Sequence, residues 1–107
     1  MKALYIKAHP FSVELLEIND TLEVYQNLVG GWIEVVHAAG LQPYHSTMVV
    51  NEEGILQDLP VNPLASMLYG DYIAGDAVVV GTIGPDFTDI PDELAEKLLD
   101  FGGRKNG

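Results

Sequence analysis

The chain has 107 residues, 48% of them apolar, enough for one domain with a modest core and too few for a second. Sixteen acidic against five basic residues give a net charge of −11, which opposes broad binding to nucleic-acid backbone or to anionic membrane, because such binding needs clustered Lys and Arg. The absence of cysteine excludes disulfides, thiolate zinc sites and a cysteine nucleophile. No stretch approaches the roughly 20 apolar residues of a membrane helix, and Met1-Lys2-Ala3 runs into a strand-like segment with no signal-peptide core, so the expected location is the cytoplasm.

Lys2 to Ala8 alternates, with Leu4 and Ile6 on one face and Tyr5 and Lys7 on the other, as in a half-buried strand. His9-Pro10-Phe11-Ser12 turns the chain into a second strand over Val13 to Ile18. Asp20 with Glu23 three residues on resembles a capping box, followed by Leu22, Tyr25, Leu28 and Val29 at helical spacing and a glycine stop at Gly30-Gly31. Trp32 to Ala38 and Tyr44 to Val50 read as a hairpin around a five-residue loop, and Asn51-Glu52-Glu53-Gly54 as the next turn. Asn62-Pro63 supplies an N-cap and a first-turn proline for a short helix through Met67, Leu68 and Tyr69, ended by Gly70. Ala77 to Ile83 is apolar almost throughout, which predicts a central strand covered on both faces. Pro91 to Phe101 is an amphipathic helix with Leu94, Leu98 and Phe101 inward and Asp92, Glu93 and Glu96 outward. The sum is a single α+β domain over residues 1–101, a twisted mixed or antiparallel sheet of about five strands with three helices, followed by a loose tail over 102–107.

The segments Val29-Gly30-Gly31, Ile33-Glu34, Asn51-Glu52-Glu53-Gly54 and Leu59-Pro60-Val61-Asn62, followed by Gly75-Asp76-Ala77-Val78-Val79-Val80-Gly81 and the closing acidic helix, resemble the domain-of-unknown-function family 3846 over nearly the whole chain. The resemblance implies a compact fold and an origin in phages, plasmids or other mobile elements, and it carries no activity. An arginine often follows the last asparagine in that family; here the residue is Pro63.

Glu52 and Glu53 are adjacent carboxylates at a strand end. Read functionally, with Asn51 they can accept hydrogen bonds from a ribose diol or hold a hard cation; read plainly, they face water from a turn made by Asn51 and the flexible Gly54. Lys7 shares a strand face with Tyr5 and His9, a combination that can hold a phosphate and stack a base, or form an ordinary solvated sheet face. His37 and His45 flank the hairpin loop and face each other in a simple register, half of a metal site at most, with no third ligand at metal spacing. Trp32 is read first as a core anchor and second as a pocket wall, Asn62 first as a helix cap and second as a ligand contact. Ser12, Ser46 and Ser66 lie in no nucleophile elbow, and no phosphate-cradling glycine loop is present, so neither catalysis nor a cofactor nor a metal is expected.

Three functions compete. One is a non-catalytic protein that sequesters a nucleotide-derived immune signal in a counter-defence role, with Tyr5, Lys7, Asn51, Glu52, Glu53 and Asn62 as contacts; so small a chain is expected to build the pocket between copies, as a homo-oligomer. In that case Lys7, Arg104 or backbone amides must balance any phosphates. The second is an acidic inhibitor or nucleic-acid mimic that binds a host defence protein through Asp86, Asp89, Asp92, Glu93, Glu96 and Asp100. The third is a phage structural or regulatory module with no ligand.

Overall fold

Apolar alternation in the first strand and apolar continuity in the fifth set up a sheet that buries both faces. The computed structural model describes residues 1–103. Six strands form one antiparallel sheet: β1 (Lys2–Lys7), β2 (Ser12–Glu17), β3 (Ile33–Val36), β4 (Ser46–Asn51), β5 (Ala77–Ile83) and β6 (Asp86–Thr88). The strand order is β2-β1-β5-β4-β3, with β6 paired to the end of β5. Strand β5 is central, and Ala77 through Gly81 are buried.

Helix α1 (Leu22–Val29) packs on one face of the sheet. Tyr25 and Val29 meet Ala3, Val49, Val78 and Val80 there, and the Tyr25 ring stands edge-on to Phe87 with centroids 5.7 Å apart. On the opposite face, α2 (Pro63–Tyr69), α3 (Asp92–Phe101) and a short 3₁₀ helix (Ala39–Tyr44) cover Leu4, Ile6, Met48, Val50 and Val79 with Leu41, Leu64, Leu68, Leu94 and Leu98. The alternation along β1 divides these two cores, sending Ala3 and Tyr5 to α1 and Leu4 and Ile6 to the other helices. No helix among the described residues is long and apolar enough to cross a membrane.

Local chemistry departs from the expectations at several points. The cap of α1 is Thr21, whose Oγ1 accepts from the Val24 N–H at 3.3 Å, while Asp20 accepts from the Tyr25 hydroxyl at 2.7 Å. The hairpin loop is the 3₁₀ helix, closed by His45 at φ 50°, and the pairing of Val36 with Met48 sets position 37 against Thr47 rather than His45. His37 and His45 therefore do not face each other. Phe101 lies on the exposed side of α3, and β6 adds a strand that its three residues left unmarked in the sequence. Of the expected tail, Gly102 and Gly103 form a turn after α3, and 104–107 lie outside the described residues.

Asn62 is fully buried and all of its polar groups are used. Its Nδ2 donates to the carbonyls of Ile6 at 3.0 Å and Gly75 at 2.9 Å, and its Oδ1 accepts from the Ala65 N–H at 3.1 Å. One side chain thus joins β1, the approach to β5 and the first turn of α2. Gly54 is also buried, and a Cβ there would overlap the Ala74 carbonyl oxygen. Its role is close approach of two backbones, not flexibility. Asn62→Ala is expected to destabilise the fold by about 3 kcal/mol or more, since three buried backbone groups lose their partner. Gly54→Ala should cost at least a comparable amount; urea unfolding monitored by circular dichroism measures both.

Candidate functional site

Helix α1 ends at Gly30, in the left-handed conformation at φ 80°, with the Gly30 and Gly31 N–H groups both donating to the Gln26 carbonyl. Two further carbonyls of the last turn are taken by side chains from the sheet. The Asn51 Nδ2 donates to Val29 O at 3.1 Å, and the Tyr5 hydroxyl lies 2.6 Å from Leu28 O and 3.0 Å from Asp76 Oδ2, sharing its single proton between the two acceptors. Asp76 Oδ1 accepts from the Ala8 N–H at 2.8 Å. Asn51 is 5% exposed, and its Oδ1 accepts from the Glu53 N–H at 2.8 Å.

Around this helix end the surface opens into two adjoining hollows. One, of about 430 Å³, is lined by Tyr5, Lys7, His9 and Asp76, with Leu59 and Pro60 as an apolar wall. The other, of about 530 Å³, is lined by Gln26, Gly31, Trp32, Glu53 and Gln57. Asn27 and Gly30 belong to both, so the two form one groove across the C-terminal end of α1.

The six sequence candidates do not converge. Tyr5 and Lys7 line the first hollow and Glu53 the second, whereas Glu52 lines a separate cleft with Glu34, Tyr69 and Tyr72. Asn51 and Asn62 are structural: their amides are engaged by backbone groups, that of Asn51 also donating to the Gln57 Oε1 at 3.4 Å, and Asn62 has no surface to offer a ligand. Trp32 is 64% exposed, so it is a wall of the groove and not a core anchor. His9, which the sequence places beside Tyr5 and Lys7, lines the first hollow with them, and Asp76, Gln26, Asn27 and Gln57, not singled out from the sequence, add to the lining. The position of Trp32 directly after a double-glycine helix stop was the available signal, because a large ring beside two residues without side chains has little to pack against.

Residues 1–101 match the family described as Domain of unknown function (DUF3846). The chain belongs to the DUF3846 family. It has no match among curated proteins and none among solved structures. Among the described residues, no group of three or more His, Asp or Glu side chains is placed to hold a metal ion. The groove offers an exposed indole, primary amides, a carboxylate at Glu53 in one hollow, and in the other a cation at Lys7 with the His9 imidazole and the Asp76 carboxylate.

Burial pushes the Tyr5 hydroxyl well above the ordinary tyrosine range, and Asp76 pushes it further in the same direction. Tyr25 is raised in the same way, by burial first and by Asp20 second. Both tyrosines therefore hold their protons more tightly folded than unfolded, so their contribution to stability is complete below the unfolded value near 10 and is lost as pH rises beyond it. Chemical denaturation between about pH 9 and pH 12 should show stability falling with pH. Tyr25→Phe should flatten that fall, and an unchanged slope would remove Tyr25 as one of its causes.

Proposed function

We propose that this protein is a non-catalytic binding protein that holds a nucleotide-derived ligand in the groove at the end of α1. The observation that carries this is the joining of the Trp32 hollow to the Lys7–His9 hollow through Asn27 and Gly30. An exposed indole is a stacking platform for a base, worth about 1–3 kcal/mol per stacked ring. Amides at Gln26, Asn27 and Gln57 suit base edges, and the Glu53 carboxylate suits ribose hydroxyls. Lys7 supplies positive charge for phosphate at the other end, and the His9 imidazole a further hydrogen-bonding group.

Electrostatics give the groove a polarity. The C-terminal end of a helix carries partial negative charge, so phosphate is disfavoured beside Gly30 and favoured toward Lys7. Among the described residues Lys7 is the one lysine of the lining and Asp76 shares its hollow, so a ligand of low phosphate charge suits the groove better than a terminal triphosphate does. Sequestration of such a ligand suits the proposed counter-defence role in a bacterial cytoplasm. Seven residues or more line each hollow within one chain, so a homo-oligomer would enlarge the groove and is not needed to create it.

The acidic-inhibitor alternative draws on the exposed acidic face of α3, where Asp92, Glu93, Glu96 and Asp100 lie, with Lys97 among them bonded to the Tyr44 hydroxyl at 2.6 Å and paired with Glu93 at 3.6 Å. A module without any ligand is the outcome left if neither a nucleotide nor a protein binds.

Native mass spectrometry of the protein, incubated with cyclic dinucleotides, cyclic trinucleotides and ADP-ribose cyclisation products, is the test. Retention of an intact ligand is expected, with Trp32→Ala and Lys7→Ala each weakening it about tenfold or more while thermal unfolding is unchanged. Retention of none of these compounds, or full affinity in both variants, would overturn the assignment of the groove.

A further inference from the structure

Strand β3 is the last in the sheet order, paired on one side with β4 and on the other with no strand among the described residues. Its pairing fixes which backbone groups are free. The Glu52 N–H donates to Trp32 O at 2.8 Å, and with position 34 opposite Val50 and position 36 opposite Met48, the even positions face β4. The N–H and C=O groups of Ile33 and Val35 consequently point out from the edge. Val35 is 40% exposed, and no proline, bulge or lysine blunts this edge in Ile33–Val36.

Beside the edge, on the face that carries α2, lies a cleft of about 250 Å³. Glu34, Glu52 and Asp71 line it together with the rings of Tyr69 and Tyr72, and no basic side chain among the described residues does. Carboxylates combined with aromatic faces form the chemistry that takes up an ammonium or guanidinium group. Because Glu34 and Val36 line the cleft from β3 itself, a strand laid along the edge sends alternate side chains to this same side.

We propose that the outer edge of β3 is a docking edge for an extended basic segment of a partner protein, which adds a strand to the sheet and places a lysine or arginine in the cleft formed by Tyr69, Tyr72, Glu34, Glu52 and Asp71. Edge pairing supplies affinity through the main chain, and the cleft supplies selectivity for positive charge. A second copy of this chain is the wrong occupant: each copy carries a net charge of −11, and pairing β3 with β3 brings two sets of these carboxylates together. The site is separate from the groove at α1 and does not depend on it.

The probe is a blocked peptide of about seven residues alternating valine and arginine, with a glutamate counterpart as control. Added to the full chain and followed by NMR, the arginine peptide is expected to bind, to slow amide exchange at Ile33 and Val35, and to weaken as salt is raised. The triple variant Glu34→Gln, Glu52→Gln, Asp71→Asn should lower affinity about tenfold or more. Val35→Pro removes an outward N–H that the fold does not use and should abolish binding; if that variant unfolds by circular dichroism, the triple variant decides. No binding at millimolar peptide, equal binding of the glutamate peptide, or binding that leaves the Ile33 and Val35 amides untouched overturns the proposal.

Discussion

The fold depends on Asn62. A sheet covered on both faces has chain entering and leaving it through buried turns, and each such turn carries backbone carbonyls that water cannot reach. Asn62 satisfies two of them, at Ile6 and Gly75, with the two hydrogens of one amide, and caps α2 with the oxygen of the same amide. No apolar residue can replace this, and an aspartate would supply the oxygen without the two donors. The proline that follows suits the first turn of α2, where its missing N–H costs nothing.

The same economy operates at the end of α1 and determines what remains for ligand binding. Helix termini leave carbonyls without intrahelical partners. Here Gly30 and Gly31 take the Gln26 carbonyl, Tyr5 shares that of Leu28, and Asn51 takes that of Val29. Two of the polar residues that stand out in the sequence, Tyr5 and Asn51, are therefore turned inward on backbone. The groove outside them is furnished by residues with weaker sequence signals: Trp32, His9, Asn27 and Gln57. Lys7 belongs to both views, being visible as a cation on the alternating face of β1 and placed by that alternation at the groove.

Most of the architecture was legible because it follows from periodicity and punctuation. Alternation gave β1, unbroken apolarity gave β5, and Gly30, Asn62-Pro63 and Gly70 marked helix ends where the structure has them. What was not legible depends on contacts distant in sequence. Thr21 rather than Asp20 caps α1 because Asp20 is engaged by the Tyr25 hydroxyl. The register of β3 against β4 is set by a 3₁₀ helix with Leu41 buried beneath it, which a five-residue loop does not announce. Trp32 and Phe101 show that a large apolar residue next to an element end has no assured place in the core. At the candidate groove, alternation along β1 places Tyr5 and Lys7 on the face that lines it, and Asn62 has the capping role read first from its place before Pro63, while the inward role of Asn51 depends on a helix end 22 residues away.

The turn after β4 shows how one short motif serves two surfaces. Asn51 is buried, and its Oδ1 holds the Glu53 N–H, which fixes the direction of the backbone immediately past the strand. Gly54, pressed against Ala74, permits no shift at the far end of the turn. Between these two fixed points, Glu52 lies in the cleft beside β3, and Glu53 lies in the groove beside Trp32. The two carboxylates look interchangeable in sequence, yet they have different neighbours: tyrosines and further carboxylates for one, an indole and amides for the other. A cation is favoured near Glu52 by the surrounding negative charge and the ring faces. Near Glu53 the neighbouring groups are neutral, and a hydroxyl donor suits the carboxylate as well as a cation does. The acidity of this turn thus divides into two chemistries, and the rigidity of Asn51 and Gly54 keeps them apart.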